Sequence, residues 1–310
     1  MGQDGLLMNK AIVLGGLGFI GHHLTQDLIY HGFNVTVIDC KKKHTPSEIY
    51  EQRKCKIINA KIIEEDIENL HFLDYGVDTI FHLANMPNAK LVNENPEDSL
   101  LDLDNLSRML LLSLKCGVKT FVYVSSSMVY GDFKQIPQSE NAKRTPQSKY
   151  GIIKYLSEDM VIKFCEDHGI NWKIVRPSAV YGDLDNSDRV VGKFIHRAIQ
   201  GKELTVKGDE QLDFTYVKDV ARGILLSGIA GENGIYNITR GESRSLEELA
   251  KIIISVVGSG TIKKENRDES FPLRGTLSIE RAKEILGYKP KYNLEQGIIR
   301  YYDSIRKLTA

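Results

Sequence analysis

Tyr150 and Lys154 pair a phenol with an ammonium four residues apart. Placed four apart on a helix, a phenol and an ammonium fall on one face, one turn from each other. A free phenol ionises near pH ~10, so it acts as a general base at neutral pH only where a cation favours the phenolate. The Y-x-x-x-K spacing alone selects little. The stretch Tyr50-Glu51-Gln52-Arg53-Lys54 matches it too, within a charged region that reads as solvated surface. What singles out Tyr150 is the run Ser125-Ser126-Ser127-Met128-Val129-Tyr130-Gly131 at the C-terminal end of an apolar, strand-like segment, where open α/β sheets present their sites. Ser126, 24 residues before Tyr150, can share a substrate oxygen with the phenol and stabilise charge as the proton leaves. A serine run at a strand end is otherwise often just a turn.

A second constellation lies near the start of the chain. Gly15-Gly16-Leu17-Gly18-Phe19-Ile20-Gly21 follows an apolar strand directly and opens a helix. Gly15 permits a tight turn, Gly18 lets a pyrophosphate approach the backbone, and Gly21 lets the helix pack closely on the strand. The first helical residues, Phe19 and Ile20, then present free N–H groups to an anion. Asp39 stands at the end of the next strand, 18 residues after Gly21, where a carboxylate accepts from both hydroxyls of an adenosine ribose. This favours NAD over NADP, although Lys41, Lys42 and Lys43 beside it would suit a 2′-phosphate.

The elements that must position these residues follow from hydrophobic periodicity. Strand-length apolar runs at 11–14, 34–38, 55–58, 78–83, 120–125 and 171–175 alternate with helix-length amphipathic stretches such as 19–30 and 96–116. That alternation predicts an α/β chain with a Rossmann-like, doubly wound parallel sheet, because parallel crossovers are right-handed. The pattern loosens after Arg176-Pro177. The expected division is a first unit over 1–176, also receiving segments near 213–230, and a smaller C-terminal α/β unit over 177–310 that binds substrate. Ser245-Leu246-Glu247-Glu248 is a capping box, opening a helix whose apolar face is Leu246, Leu249, Ile252 and Ile253.

Composition narrows the function classes. Lys plus Arg (41) equals Asp plus Glu (41), so no surplus positive field exists to hold a nucleic acid. No stretch approaches the ~18 apolar residues of a membrane span, and residues 1–10 lack the apolar core of a signal peptide. A cytoplasmic protein is expected. Cys40, Cys55, Cys116 and Cys165 have no metal-ligand spacing and read as reduced, mostly buried thiols.

These motifs together resemble the extended short-chain dehydrogenase/reductases, in particular the NAD-dependent nucleotide-sugar epimerase/dehydratase group. The resemblance runs over nearly the whole length. It rests on the glycine string, Asp39, Asp66-Ile67, His82-Leu83-Ala84, Ser125 to Gly131, Tyr150 to Lys154, Arg176-Pro177 with Val180-Tyr181-Gly182, Asp213-Phe214 with Tyr216-Val217 and Asp219-Val220, and Leu286-Gly287-Tyr288 with Pro290. It implies NAD as cofactor and a nucleotide-diphosphate sugar as substrate. Ser126, Tyr150 and Lys154 would be catalytic, Asp66 and Ile67 would meet the adenine, and Leu83 and Ala84 would run past the ribose and phosphates. Lys90 and Arg274 would contact the substrate, with Arg267 as the fallback for Arg274, and a homodimer would form through the helices near 96–116 and 150–168.

The sequence also departs from that pattern. Dehydratases of the group carry an Asp-Glu pair where this chain has Ser127 and Met128, so the elimination of water loses its acid and base. Val92, Leu212 and Asp102 replace a common Ser, Arg and Asn around the substrate. The resemblance therefore implies epimerisation at C4 through a transient 4-keto sugar. The alternatives are a 4-ketoreductase that releases oxidised cofactor each turn, a decarboxylase of a sugar acid, or a non-catalytic dinucleotide-binding scaffold.

Overall fold

The computed structural model describes residues 9–40, 45–86, 89–94, 96–186, 189–267, 269 and 271–309. Its centre is a seven-stranded, wholly parallel sheet. In chain order the elements are β1 (Lys10–Leu14), α1 (Phe19–Tyr30), β2 (Asn34–Asp39), α2 (Ser47–Cys55), β3 (Lys61–Glu64), β4 (Thr79–His82), α3 (Ala89–Glu94), α4 (Pro96–Lys115), β5 (Thr120–Val124), α5 (Lys149–His168) and β6 (Asn171–Arg176). There follow β7 (Val180–Tyr181), α6 (Val190–Ile199), β8 (Glu203–Lys207), β9 (Gln211–Leu212), β10 (Thr215–Tyr216), α7 (Val217–Ile229) and β11 (Gly234–Asn237). The chain ends with β12 (Arg244–Ser245), α8 (Leu246–Val257), β13 (Thr261–Glu265), α9 (Glu280–Leu286) and α10 (Leu294–Thr309).

The sheet order is β11-β6-β5-β4-β1-β2-β3, so the chain leaves β1 in one direction and returns through β4 in the other. The crevice at that reversal, beyond the carboxyl ends of the strands, is where ligands bind in such folds. Central strands are buried on both faces, as Ala11 to Leu14 and Phe121 to Tyr123 show. One apolar layer joins the sheet to α1, α7 and α9, and another joins it to α4 and α5. A third packs α6, α8 and α10 around Tyr181, Phe194, Leu249 and Ile298. Between these layers α7 and β11 come back to the first sheet, β11 pairing with β6 from Gly234↔Lys173 to Asn237↔Arg176.

Two expectations fail in one place. Residues 55–58 do not form a strand: Cys55 ends α2, Asn59 turns the chain with φ 69°, and the third strand is Lys61–Glu64. Glu48 in the first turn of α2 and Arg53 and Lys54 in its last turn complement the helix dipole, and this outweighs the short apolar run Cys55 to Ile58. Tyr50 is consequently not solvated surface. It is 2% exposed and its hydroxyl donates to Glu64 Oε2 at 3.3 Å. The thiols also divide: Cys116 and Cys165 are buried, Cys40 is half-buried and Cys55 is exposed.

The capping box forms as the sequence predicts. Ser245 Oγ accepts from Glu248 N at 3.1 Å and Glu248 Oε2 accepts from Ser245 N at 2.8 Å. Leu246, Leu249 and Ile253 are buried beneath it. Replacing Ser245 with Ala is expected to cost about 1 kcal/mol in urea denaturation, the usual worth of an N-cap, while Ser245→Thr should recover most of it.

Candidate active site

One large cleft, about 870 Å³, runs across the carboxyl ends of the strands. From the first half of the chain it is lined by the glycine loop, Asp39, Asp66, Ile67, Leu83, Ala84, Asp102, Ser126, Met128, Tyr150 and Lys154. From the second half it receives Asn186, Arg189, Val191, Leu212, Phe214 and Arg274, among others.

The dinucleotide end is built on β1 and α1. Gly15 has φ +80°, a left-handed conformation that suits glycine. A Cβ on Gly21 would lie 2.0 Å from Gly15 O, so only glycine lets α1 start against the loop. Gly18 caps α1 without a side-chain bond, which leaves the first-turn N–H groups of Phe19 and Ile20 for an anion at the positive end of the helix. Asp39 Oδ2 accepts from Leu17 N at 2.6 Å. Burial pushes the Asp39 pKa up to about 6, against the pull of backbone N–H groups and of Arg53. Asp66 caps a single 3₁₀ turn and accepts from Cys40 Sγ at 3.2 Å, beside the end of β2. A glycine cradle, a helix N-terminus and a carboxylate at the end of β2 fit the pyrophosphate and ribose of NAD.

The Asp39 carboxyl makes this end of the cleft sensitive to pH. With a folded-state pKa of about 6, raised above the ordinary carboxylate range, neutral Asp39 favours the cofactor-free fold at low pH and that contribution is lost as pH rises through about 6. A ribose held by Asp39 through its hydroxyls would need the carboxylate. NAD affinity should therefore weaken as pH falls below about 6, and Asp39→Asn should bind weakly with a flat profile. Titration of cofactor-free protein with NAD across this range checks both.

The reacting end is built on β5 and α5. Ser148 caps α5, accepting from Gly151 N at 3.1 Å, and thereby sets the phase that turns Tyr150 and Lys154 toward the strand ends. Ser126 follows β5 and accepts from Met128 N at 3.2 Å. Its hydroxyl also meets the Tyr150 phenol. Lys154 Nζ donates to Val124 O at 2.9 Å, 5.8 Å from the centre of the Tyr150 ring and 5.0 Å from that of Tyr123. Burial lowers the Lys154 pKa to about 8, while the carboxylates of Asp102 and Glu158 hold it up. Burial also raises the Tyr150 phenol above its ordinary value, opposed by Arg189 and by the Ser126 bond.

Ser126, Tyr150 and Lys154 are thus brought together, and so are Gly15, Gly18, Phe19, Ile20, Gly21, Asp39, Asp66, Ile67, Leu83 and Ala84 along the same cleft. Arg274 reaches it too, with Nη2 donating to Glu210 Oε1 at 2.7 Å. Lys90 is exposed on α3 and is not among the described residues lining the cleft. Arg267 likewise stays outside, donating to Phe271 O. Lys41, Lys42 and Lys43 lie outside the described residues. Sequence reasoning missed Arg189, whose guanidinium is 5.4 Å from the Phe19 ring and 3.7 Å from Asp185, and Arg53, buried against the glycine loop. The only local hint for Arg189 is its place soon after Val180-Tyr181-Gly182.

A parallel sheet with a glycine-loop dinucleotide cleft and a Ser-Tyr-Lys constellation at its end defines a short-chain dehydrogenase/reductase. Within that class the chain belongs to the NAD dependent epimerase/dehydratase family, whose model matches residues 11–239. It is 32% identical to a Methanocaldococcus jannaschii protein provisionally named a UDP-glucose 4-epimerase, over 93% of this chain and 96% of that one. It is 29% identical to UDP-glucuronic acid decarboxylase 1 of Xenopus tropicalis, over 96% of this chain and 72% of that protein. The crystal structure of a UDP-glucuronic acid 4-epimerase from Bacillus cereus, bound to UDP-glucuronic acid and NAD, superposes with a TM-score of 0.89 at 26% identity, covering 96% of this chain and 99% of that one.

Proposed function

We propose that the protein epimerises a nucleotide-diphosphate sugar at C4, through a transient 4-keto sugar, on bound NAD. The observation that carries this reading is the meeting of Ser126, Tyr150 and Lys154 in one cleft where Ser127 and Met128 stand in place of a dehydratase's acid and base. When bound, NAD supplies the acceptor that takes hydride from C4 and gives it back. Tyr150 takes the proton from the C4 hydroxyl and later returns it. Ser126 donates to the same oxygen and stabilises the charge that develops on it. Between the two hydride transfers the keto sugar turns about its link to the diphosphate, so that the hydride returns to the other face of C4. Lys154, anchored on Val124 O, contributes positive charge beside the phenol, and Arg189 adds a second cation. Arg274 and Arg189 are the cleft cations suited to a diphosphate, and Leu212, Phe214 and Val191 offer apolar surface for a base.

One feature favours a second reading, decarboxylation of a sugar acid. Arg189 acts on the phenol from within the cleft, where a guanidinium would also meet a sugar carboxylate. The test for both is incubation with UDP-, GDP-, dTDP- and CDP-sugars and their uronic acids, first without added cofactor and then with NADH or NADPH. A product of unchanged mass without added cofactor supports epimerisation. Loss of carbon dioxide from a uronic acid supports the second reading, and turnover only with reduced cofactor overturns both in favour of a reductase.

The same reading includes a homodimer and a cytoplasmic setting. Leu100, Leu101, Leu111 and Leu114 on α4 and Ile152 and Leu156 on α5 are exposed apolar residues on two helices that pack together. Leu106 and Leu110 are buried against the sheet, so α4 has a second apolar face. Sedimentation should give twice the chain mass, falling to one chain mass for Leu111→Glu with Leu156→Glu. All four cysteines are free, which supports a reducing compartment.

A further inference from the structure

The decoy motif Tyr50-Glu51-Gln52-Arg53-Lys54 has a use of its own. Arg53 is 3% exposed, on the last turn of α2. Its Nη1 donates to Leu17 O at 3.3 Å, in the glycine loop. Its Nε and Nη2 both donate to Leu184 O, at 3.1 and 2.7 Å, in the loop that follows β7. Both loops line the dinucleotide cleft, one with Leu17, Gly18 and Phe19, the other with Asp185, Asn186 and Arg189. One buried guanidinium therefore ties the first half of the chain to the second across the cofactor site.

The second loop is pinned on its far side as well. His23 Nε2 meets Asp183 O at 3.1 Å, Tyr216 OH donates to Asp183 Oδ1 at 2.9 Å, and Lys218 Nζ lies 3.7 Å from Asp183 Oδ2. Leu184 itself is buried and has φ 58°, an uncommon conformation for a branched side chain that the surrounding bonds must hold. Burial lowers the Arg53 pKa to about 10, with Asp185 and Asp39 opposing it, so the guanidinium is still charged at neutral pH and its bonds stay charge-assisted.

We propose that Arg53 is a latch that retains NAD by tying the glycine loop to the 183–186 loop, so that the cofactor leaves only when the second loop lifts and the Arg53 bonds break. The latch matters to an enzyme that regenerates its cofactor within each turnover and gains nothing by exchanging it. Retention itself rests on the family's cofactor and only its usefulness rests on the proposed function, so the two can fail separately.

The test measures cofactor retention, not turnover. Wild-type protein is purified without added NAD, the NAD released on denaturation is quantified per chain, and exchange against isotopically labelled NAD is followed. The wild type should carry NAD and exchange it slowly. Arg53→Met should raise the exchange rate about tenfold or more, the factor that losing one charge-assisted hydrogen bond corresponds to, and Arg53→Lys should lie between the two. Tyr216→Phe and His23→Gln loosen the same loop from outside the cleft and should speed exchange in the same direction, which keeps the proposal testable if Arg53→Met does not fold. Wild-type exchange rates in folded Arg53→Met, or in both outer variants where Arg53→Met is unfolded, overturn the latch. So does a wild type that exchanges NAD within seconds, even if it epimerises sugars.

Discussion

Replacing Tyr150 with Phe is expected to lower kcat on the nucleotide sugar by about 10²- to 10⁴-fold, the usual share of a positioned acid–base group. The substitution removes one hydroxyl and keeps the ring that Lys154 approaches to 5.8 Å. Ser126 keeps its bond from Met128 N, so the oxygen site is weakened and not dismantled. NAD content and Tm should stay close to wild type, because Tyr150 is half-buried at the cleft and no strand or helix hangs on its hydroxyl. Steady-state kinetics beside a thermal melt measure this. A loss below tenfold would mean that another group moves the proton. Ser126→Ala should cost less, about 10²-fold, because it removes one donor to the oxygen and leaves the base.

The largest stability effect is expected at Glu158, one turn beyond Lys154 on α5. Its carboxylate accepts from Arg176 Nε at 2.8 Å and Nη2 at 2.6 Å, from Ser125 Oγ at 2.5 Å and from Arg144 Nη1 at 3.1 Å. The Arg176 and Glu158 side chains are 1% and 0% exposed. Removing one member of a buried pair leaves the other charge without compensation, a loss of about 3–5 kcal/mol. Arg176 would keep only Tyr130 OH at 2.8 Å and Glu140 O at 3.4 Å. For a chain of this size each kcal/mol moves Tm by about 2–4 °C, so Glu158→Ala should melt roughly 10 °C below wild type. Glu158→Gln, which keeps the shape and one acceptor, should recover part of that. Since Ser125 precedes Ser126, catalysis should suffer at temperatures well below the new midpoint. A drop in Tm of a degree or two would show that the pair contributes little.

The reactive residues were legible because the chemistry that presents each of them is local. A strand followed at once by Gly15 to Gly21 can only turn and start a helix, and a serine run after an apolar strand can only lie at a strand end. Four-residue spacing on a helix sets the relation of Tyr150 to Lys154 without reference to anything else. Where the local signals competed, the reading failed. The apolar run 55–58 promised a strand, yet the charges flanking Tyr50 favoured a helix, and the chain made its strand at Lys61–Glu64 instead.

Local patterns in the chain were enough to point to a class of chemistry: a glycine loop and carboxylate suited to a dinucleotide, and a serine, a phenol and an ammonium suited to moving a proton beside it. Which charges act on them follows from long-range packing. Arg189 lies 39 residues beyond Tyr150 and Arg53 lies 131 residues before Leu184, separations at which no periodicity operates. Their positions follow from how the loop after β7 folds back over β1 and α1, which the packing of α7 against α1 and the pairing of β11 with β6 impose. Contacts between distant segments also took Tyr50 out of solvent, in the layer it shares with α1 and α7, and brought Arg274 into the cleft through the pairing of residues 273–277 with 133–138. Whether a surface cation meets a substrate or water depends on burial, and burial is settled by contacts between distant segments.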